Sequence, residues 1–336
     1  VSTQAGDWLD CIGEVRAGQL PERAIDPGQA MRIFTGAFLP ESADCVIMQE
    51  YAERDRDRVR FREGFGPARH VREAGSDFRR GDVLVPEGSR LIPQAMVAAA
   101  AADRAEIEVR RRPRVAIIAT GDELVAPGEA QADEATLADS ASYGVAAMTT
   151  AGGGDLVFTA RGGDDLDQLS KLAGKALGAA DCVVVTGGAS VGDYDLARPI
   201  FAEHGLQEVF ERLPIRPGRP VWFGMAQGKP VLGLPGNPTS AMVTARLFLR
   251  PLMACLQGGS TASELAFMPM VLGAELGETG SRETFVRAAS GADGLLPLGN
   301  QQSGAQAPLL HARWLIRRPP GSGAEQAGAI VSALAF

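Results

Sequence analysis

The chain reads as a multidomain α/β plus β protein, with a central α/β segment flanked by β-rich segments. Three observations point there. Arg114–Thr120 (RVAIIAT) and Cys182–Thr186 (CVVVT) are continuous β-branched runs, apolar on both faces, as buried parallel strands are. Between them, Leu166, Leu169, Leu172, Ala173, Ala176 and Leu177 recur at helical spacing. On either side, short apolar runs separated by Gly, Pro and Ser replace that rhythm. At 336 residues the chain exceeds what one core usually holds, so two to four domains are expected.

Taken in order, residues 1–81 carry short apolar runs at 30–34, 45–49 and 59–61, punctuated by turns such as Asp26-Pro27-Gly28. Residues 53–62 alternate acid and base around Val59 and Phe61, which predicts a solvated hairpin and not a nucleic-acid patch. Residues 94–101 predict a short helix and 106–112 a strand, with Pro113 as a boundary. Then come strands at 114–120, 182–186, 221–225 and 230–234, alternating with helices at 142–151, 166–180 and 239–249. Pro251 should kink or end the last helix. Such alternation implies a three-layer arrangement, a sheet covered on both faces, with ligands at the carboxyl ends of its strands. Runs at 268–272, 284–288, 311–316 and 330–334 predict a small β-domain with a loosely specified tail.

Composition removes several classes of function. Lys and Arg number 33 against 41 Asp and Glu, a net charge of −8, which disfavours a polyanion partner such as nucleic acid. No stretch of eighteen apolar residues occurs, so no membrane span is expected. Cys11, Cys45, Cys182 and Cys255 form no CxxC; each has apolar neighbours, and reduced core thiols in a cytoplasmic protein are the expectation. His70, His204 and His311 are too scattered for a His-based metal site. Residue 1 is Val and not Met, so the chain is expected to begin inside a longer protein.

Four Gly- or Pro-rich turns close strands of the α/β segment: TGDEL at 120–124, TGGASVGDYD at 186–195, RPGRP at 216–220 and LPGNPTS at 234–240. Free backbone N–H groups with a nearby Arg suit a phosphate. One such turn is explained by sterics alone; four in one segment indicate an anion site. Asp122, Glu123, Asp164, Asp165, Asp193 and Asp195 lie in or beside these loops, and carboxylates next to a phosphate cradle suit Mg²⁺. A single Asp more often caps a helix or closes a turn, a reading strongest for Asp165 and Asp193. Residues 188–192 also match the G-x-S-x-G nucleophile elbow around Ser190, but His204 follows too soon and His311 lies outside the segment.

The ordered series RIFTGAFLPESADCVIMQE, GSDFRRGDVL, RPRVAIIATGDELVAPGE, VVVTGGASVGDYD, IRPGRPVWFG and GLPGNPTSAMVT resembles the molybdopterin molybdenumtransferases, the MoeA-type enzymes whose eukaryotic counterpart is the gephyrin E domain. The resemblance implies a β-rich domain over 1–80, the rest of an elongated domain over 81–112, a molybdopterin-binding α/β domain over 113–260 and a C-terminal β-domain over 261–336. It implies a cytoplasmic homodimer, with the molybdopterin adenylyltransferase as a second candidate partner. The implied reaction consumes adenylylated molybdopterin and molybdate with Mg²⁺, releases AMP and inserts molybdenum at the dithiolene. Thr35, Asp77, Glu123, Asp164 and Asp195 match positions lining the family's active cleft, with Glu123, Asp164 and Asp195 as the metal carboxylates. Thr120, Gly121, Asp139, Ser140, Gly187, Gly188, Ser190, Arg216, Arg219, Pro235 and Pro238 match the substrate-binding positions.

Three departures accompany the match. Arg216 and Arg219 stand where the family commonly has the lysines of KPGKP, exchanging a point charge for a planar fork. Asp139-Ser140 is followed by Ala141 where the family has Asn. The family's MDGYA motif would end just before Val1. These departures keep alternatives open: a molybdopterin-binding or scaffold protein without turnover, and a molybdopterin adenylyltransferase, against which the extra β segments argue.

Overall fold

Alternation along the first eighty residues is enough for a sheet but not for a thick core. The computed structural model describes residues 5–66, 69–130, 135–188 and 196–336. Its contacts divide the chain into two units, Val1–Val83 and Leu84–Phe336. In the first, β1 (Trp8–Val15) runs parallel to β2 (Gln29–Ile33), while β3 (Ala52–Asp55) and β4 (Arg58–Phe61) form a hairpin whose second strand lies antiparallel to β1. Leu9 and Val15 are its buried strand residues. The outer face is ionic. Glu53 pairs with Arg60 at 2.6 Å and Arg62 at 2.8 Å, and the Trp8 ring lies 4.9 Å from the Arg60 guanidinium and 5.7 Å from that of Arg58. The alternating charges of 53–62 thus make the expected hairpin. Residues 45–49 form no strand; a 3₁₀ turn at Gln49–Tyr51 ends that stretch.

The second unit begins with α1 (Pro93–Ala101), which Pro93 opens at the position where its missing N–H costs nothing. The strand expected at 106–112 is absent. Its arginines turn to ion pairs instead, Arg111 with Asp181 at 2.7 Å and Arg112 with Asp155 at 3.7 Å. In chain order there follow β5 (Arg114–Thr120), β6 (Leu124–Val125), β7 (Leu137–Ala138), α2 (Ala141–Ala151), β8 (Asp155–Gly162), α3 (Leu166–Ala179), β9 (Cys182–Thr186), β10 (Gln207–Glu211), β11 (Ile215–Arg216), β12 (Trp222–Ala226), β13 (Lys229–Leu234) and α4 (Pro238–Thr244). The main sheet has the order β10-β12-β13-β9-β5-β8; β13, β9, β5 and β8 are parallel, β12 lies antiparallel to β13, and β10 lies antiparallel to β12.

Both faces of that sheet are covered. Ala116, Ile118, Val183 and Val185 pack beneath Leu169, Ala173 and Leu177 of α3. Val115, Ile117 and Val184 meet Val145 of α2 and the α4 region on the other face. The Val, Leu and Ile side chains among these each contribute about 1.5–3 kcal/mol when fully buried. Pro251 neither ends nor interrupts the last helix: the chain passes through a π turn at Ala245–Leu249 into α5 (Arg250–Leu256). Widening the turn makes room for a proline ring that would otherwise strike the carbonyl four residues back. Of the cysteines, Cys182 is a core thiol, which burial pushes up to about 12, whereas Cys45 and Cys255 are exposed and Cys11 is half-buried.

After α6 (Thr261–Glu264), a second sheet holds β14 (Met268–Val271), β15 (Glu283–Gly291), β16 (Gly294–Pro297), β17 (Trp314–Arg318) and β18 (Ile330–Ala335). Its order is β11-β15-β17-β18-β14, with β16 beside β15. The tail is therefore well specified, since β18 is an interior strand. Phe285, Leu315 and Leu334 of this sheet share one hydrophobic core with the α/β layer.

Candidate active site

The main sheet brings the ends of β5, β8, β9 and β13 together because those strands are parallel. Backbone bonds then tie the loops to one another. Gly121 donates to the Gly162 carbonyl at 3.2 Å, joining the ends of β5 and β8. Gly187 donates to the Leu234 carbonyl at 3.3 Å, joining β9 to β13. The Thr120 hydroxyl reaches the Thr186 carbonyl at 3.5 Å. Gly187 has φ +92°, and a Cβ there would run into the Thr120 carbonyl oxygen. Only glycine suits a backbone this close to its neighbour. On its other side the Gly187 Cα would lie 3.3 Å from a Cβ at Gly236, so LPGNP packs against TGG.

RPGRP joins the same end of the sheet. Its turn leads into β12, and Trp222 pairs with Gly233 at the finish of β13. Arg216 and Arg219 are exposed there. Pro235 is buried beneath the LPGNP turn, and Pro238 opens α4 behind Asn237. Thr186, which opens the TGGASVGDYD turn, is buried, and among the described residues its hydroxyl has no partner.

The carboxylates gather at β5 and β8. The Asp122 carboxylate accepts the Asp164 N–H at 2.8 Å and so closes the loop after β8. Glu123 folds back over Gly121, where a Cβ would sit 2.5 Å from its Oε2. Burial pushes the Asp164 carboxyl up, and the negative charges of Asp122 and Glu123 push it further. Asp165 does what its type most often does: as N-cap of α3 it accepts from the Gln168 N–H at 3.0 Å. Among the described residues, no three His, Cys, Asp or Glu side chains form a metal-holding group.

Asp139 and Ser140 are engaged within the protein. Asp139, 2% exposed, accepts from the backbone and hydroxyl of Ser142 at the start of α2 and lies 4.0 Å from Arg161. The Ser140 hydroxyl donates to Gln306 at 2.9 Å, and Ala141 is buried in the core. Beside them opens a cavity of about 310 Å³, lined in part by Asp139, Tyr143, Thr159 and Arg161. In the first unit, Thr35 sits in the exposed turn after β2 and Asp77 in an exposed bend. Ser190, Asp193 and Asp195 lie outside the described residues.

Comparison with known proteins fits this arrangement. Residues 116–254 match the family described as a probable molybdopterin binding domain, and residues 2–102 match the MoeA N-terminal region, domains I and II. The structure superposes on a molybdopterin biosynthesis MoeA protein of Pyrococcus horikoshii with a TM-score of 0.77 and 30% identity, covering 98% of this chain and 81% of that one. The chain belongs to the MoeA family. Among curated MoeA-type relatives, the molybdopterin molybdenumtransferase of Nostoc sp. is 34% identical over 287 residues, 83% of this chain and 64% of the relative. That of Staphylococcus aureus is 29% identical over 94% of this chain and 76% of the relative. This MoeA-type chain thus spans about two thirds to three quarters of the length of those two proteins. Among its described residues, no helix is long and apolar enough to cross a membrane.

Proposed function

We propose that this chain inserts molybdenum into adenylylated molybdopterin, releasing AMP; the name of its relatives, molybdopterin molybdenumtransferase, supports the molybdenum transfer. The observation that carries the reading is the meeting of the turns with crowded carboxylates at one end of the sheet. In this reading the backbones of Gly121, Gly187 and Gly188 receive the phosphates, helped by Thr120, Ser140, Ser190 and the LPGNP turn. Arg216 and Arg219 neutralise them. Glu123 and Asp164, with Asp195, hold Mg²⁺, and Thr35 and Asp77 contact substrate.

The donor set suits the ion. Mg²⁺ is usually held by one or two carboxylates plus substrate phosphate, so a third protein ligand is not required. Like-charge crowding that raises Asp164 is what a divalent cation relieves. When bound, Mg²⁺ supplies charge neutralisation at the pyrophosphate link. The proposal includes a cytoplasmic homodimer, delivery of substrate by the adenylyltransferase, and domains at 1–80, 81–112, 113–260 and 261–336. The division at Val83 and Leu84 supports the first of those boundaries.

The test is AMP release from adenylylated molybdopterin, with and without molybdate and Mg²⁺. Molybdate-dependent release is expected, with Glu123→Gln lowering it by about 10²-fold or more. Tight pterin binding without release would leave a binding protein instead. A loss under threefold in Glu123→Gln would remove that residue from the machinery.

A further inference from the structure

We propose that residues 300–306, a loop between β16 and β17 of the C-terminal sheet, are a strut that sets the position of the LPGNP turn and Ser140, and that Arg287 is the positioning residue on which the strut is built. The inference rests on the proposed function for its catalytic meaning, though not for its geometry.

Arg287 lies in the middle of β15 with no exposed surface. A buried guanidinium normally faces a carboxylate, because an unpaired buried charge is costly. Here, among the described residues, its hydrogen-bond partners are neutral and come from one loop. Nε donates to the Gln301 side-chain oxygen at 3.3 Å, and Nη2 donates to the carbonyls of Asn300 at 3.1 Å and Gln302 at 3.3 Å. Nη1 is buried without a partner among the described residues. Gln301 closes the circuit: its oxygen accepts the Arg287 N–H at 3.0 Å, and its amide donates to the carbonyls of Arg287 at 2.9 Å and Leu298 at 2.7 Å.

The far side of the loop carries three contacts with the candidate active site. The Thr239 hydroxyl donates to the Ala305 carbonyl at 2.6 Å, Asn237 donates to the Ser303 hydroxyl at 3.5 Å, and Ser140 donates to Gln306 at 2.9 Å. One loop therefore holds both the turn after β13 and the residue that opens α2. Packing alone does not explain the cation, since apolar replacement of a buried charge network is often neutral or stabilising. What the guanidinium adds is direction: its fork fixes carbonyls on either side of Gln301 at once.

The experiment compares the full chain with Arg287→Met, Thr239→Val and the double variant. Hydrogen exchange at the amides of Gly236, Asn237 and Thr239 needs no substrate. It should quicken by about tenfold or more in both single variants. Calorimetry and kinetics with adenylylated molybdopterin should show Kd and KM rising about tenfold while kcat changes less than threefold. The double variant should lose little more affinity than Arg287→Met alone, because both act through one loop. Unchanged exchange in Thr239→Val, whose fold is the less disturbed, would overturn the strut. Losses in Kd that simply multiply in the double variant would also overturn it. If the unaltered chain bound no pterin, the proposed function would fail, while the exchange data would still decide the strut.

Discussion

The N-terminal sheet and the central sheet are built on opposite physics. In the first, Leu9 and Val15 are the buried strand residues, and guanidinium groups of Arg58 and Arg60 lie against the Trp8 ring. In the second, Val183, Val184, Val185, Ile117 and Ile118 have almost no exposed surface. A two-sided apolar sheet can hold glycine loops rigidly at its edge. A one-sided ionic sheet holds its shape through contacts that salt weakens. The difference locates rigidity where the candidate active site needs it.

The contrast breaks most sharply when a side chain is cut from the central core. Ile118→Ala leaves a cavity beneath α3 and should cost about 2–5 kcal/mol in urea denaturation. A loss below about 1 kcal/mol would mean the central sheet does not depend on its burial. The next effect concerns how that sheet is anchored. Asp181 takes hydrogen bonds from Arg111 at 2.7 Å and from the Arg114 backbone at 2.9 Å, and Arg111 above all holds its carboxyl well below the usual carboxylate range. A depressed folded-state pKa gives stability that is present above the ordinary carboxylate pKa and lost as pH falls below about 4. Asp181→Asn should cost about 1–3 kcal/mol at pH 7 and flatten that acid limb.

Smaller effects sharpen the other side. Raising salt from 0.05 to about 1 M should weaken the N-terminal hairpin, as read by Trp8 fluorescence, while Glu53→Gln abolishes most of that response. The smallest effect has the opposite sign. Because Asp164 is raised by burial and by Asp122 and Glu123, its charged form opposes folding. Asp164→Asn should therefore raise the Tm at pH 7 by a degree or two as it lowers turnover, a trade common where function needs crowded charge.

What could be read in the sequence follows the same division. RVAIIAT and CVVVT are legible because a strand buried on both faces leaves no polar position. β8 escapes because it is an edge strand: DLVFTARG alternates and carries Arg161 outward. β1 and β10 are missed for the same want of a continuous apolar run. Each turn of the candidate active site announces itself by Gly and Pro; the convergence of three follows from parallel strands, and RPGRP joins them because β12 returns antiparallel beside β13. The strut does not, since an Arg in ETFVRAASG reads as a surface residue and only the folded loop shows it buried. Asp139 reads as a ligand by resemblance, while its local geometry shows it bonded to the opening of α2.

One short element carries a consequence for heredity as well as for folding. β11, only Ile215 and Arg216, lies within the α/β stretch of the chain yet pairs with Glu283 and Thr284 of the C-terminal sheet. The two sheets are thus stitched through each other and are not strung end to end. A gene cut after the codon for Ser260 would separate a strand from its partner and bare Ile215, buried at 6% exposure. Exchange of the C-terminal segment between relatives should succeed only when residues 213–219 travel with it, so inheritance is expected to treat these distant stretches as one cassette.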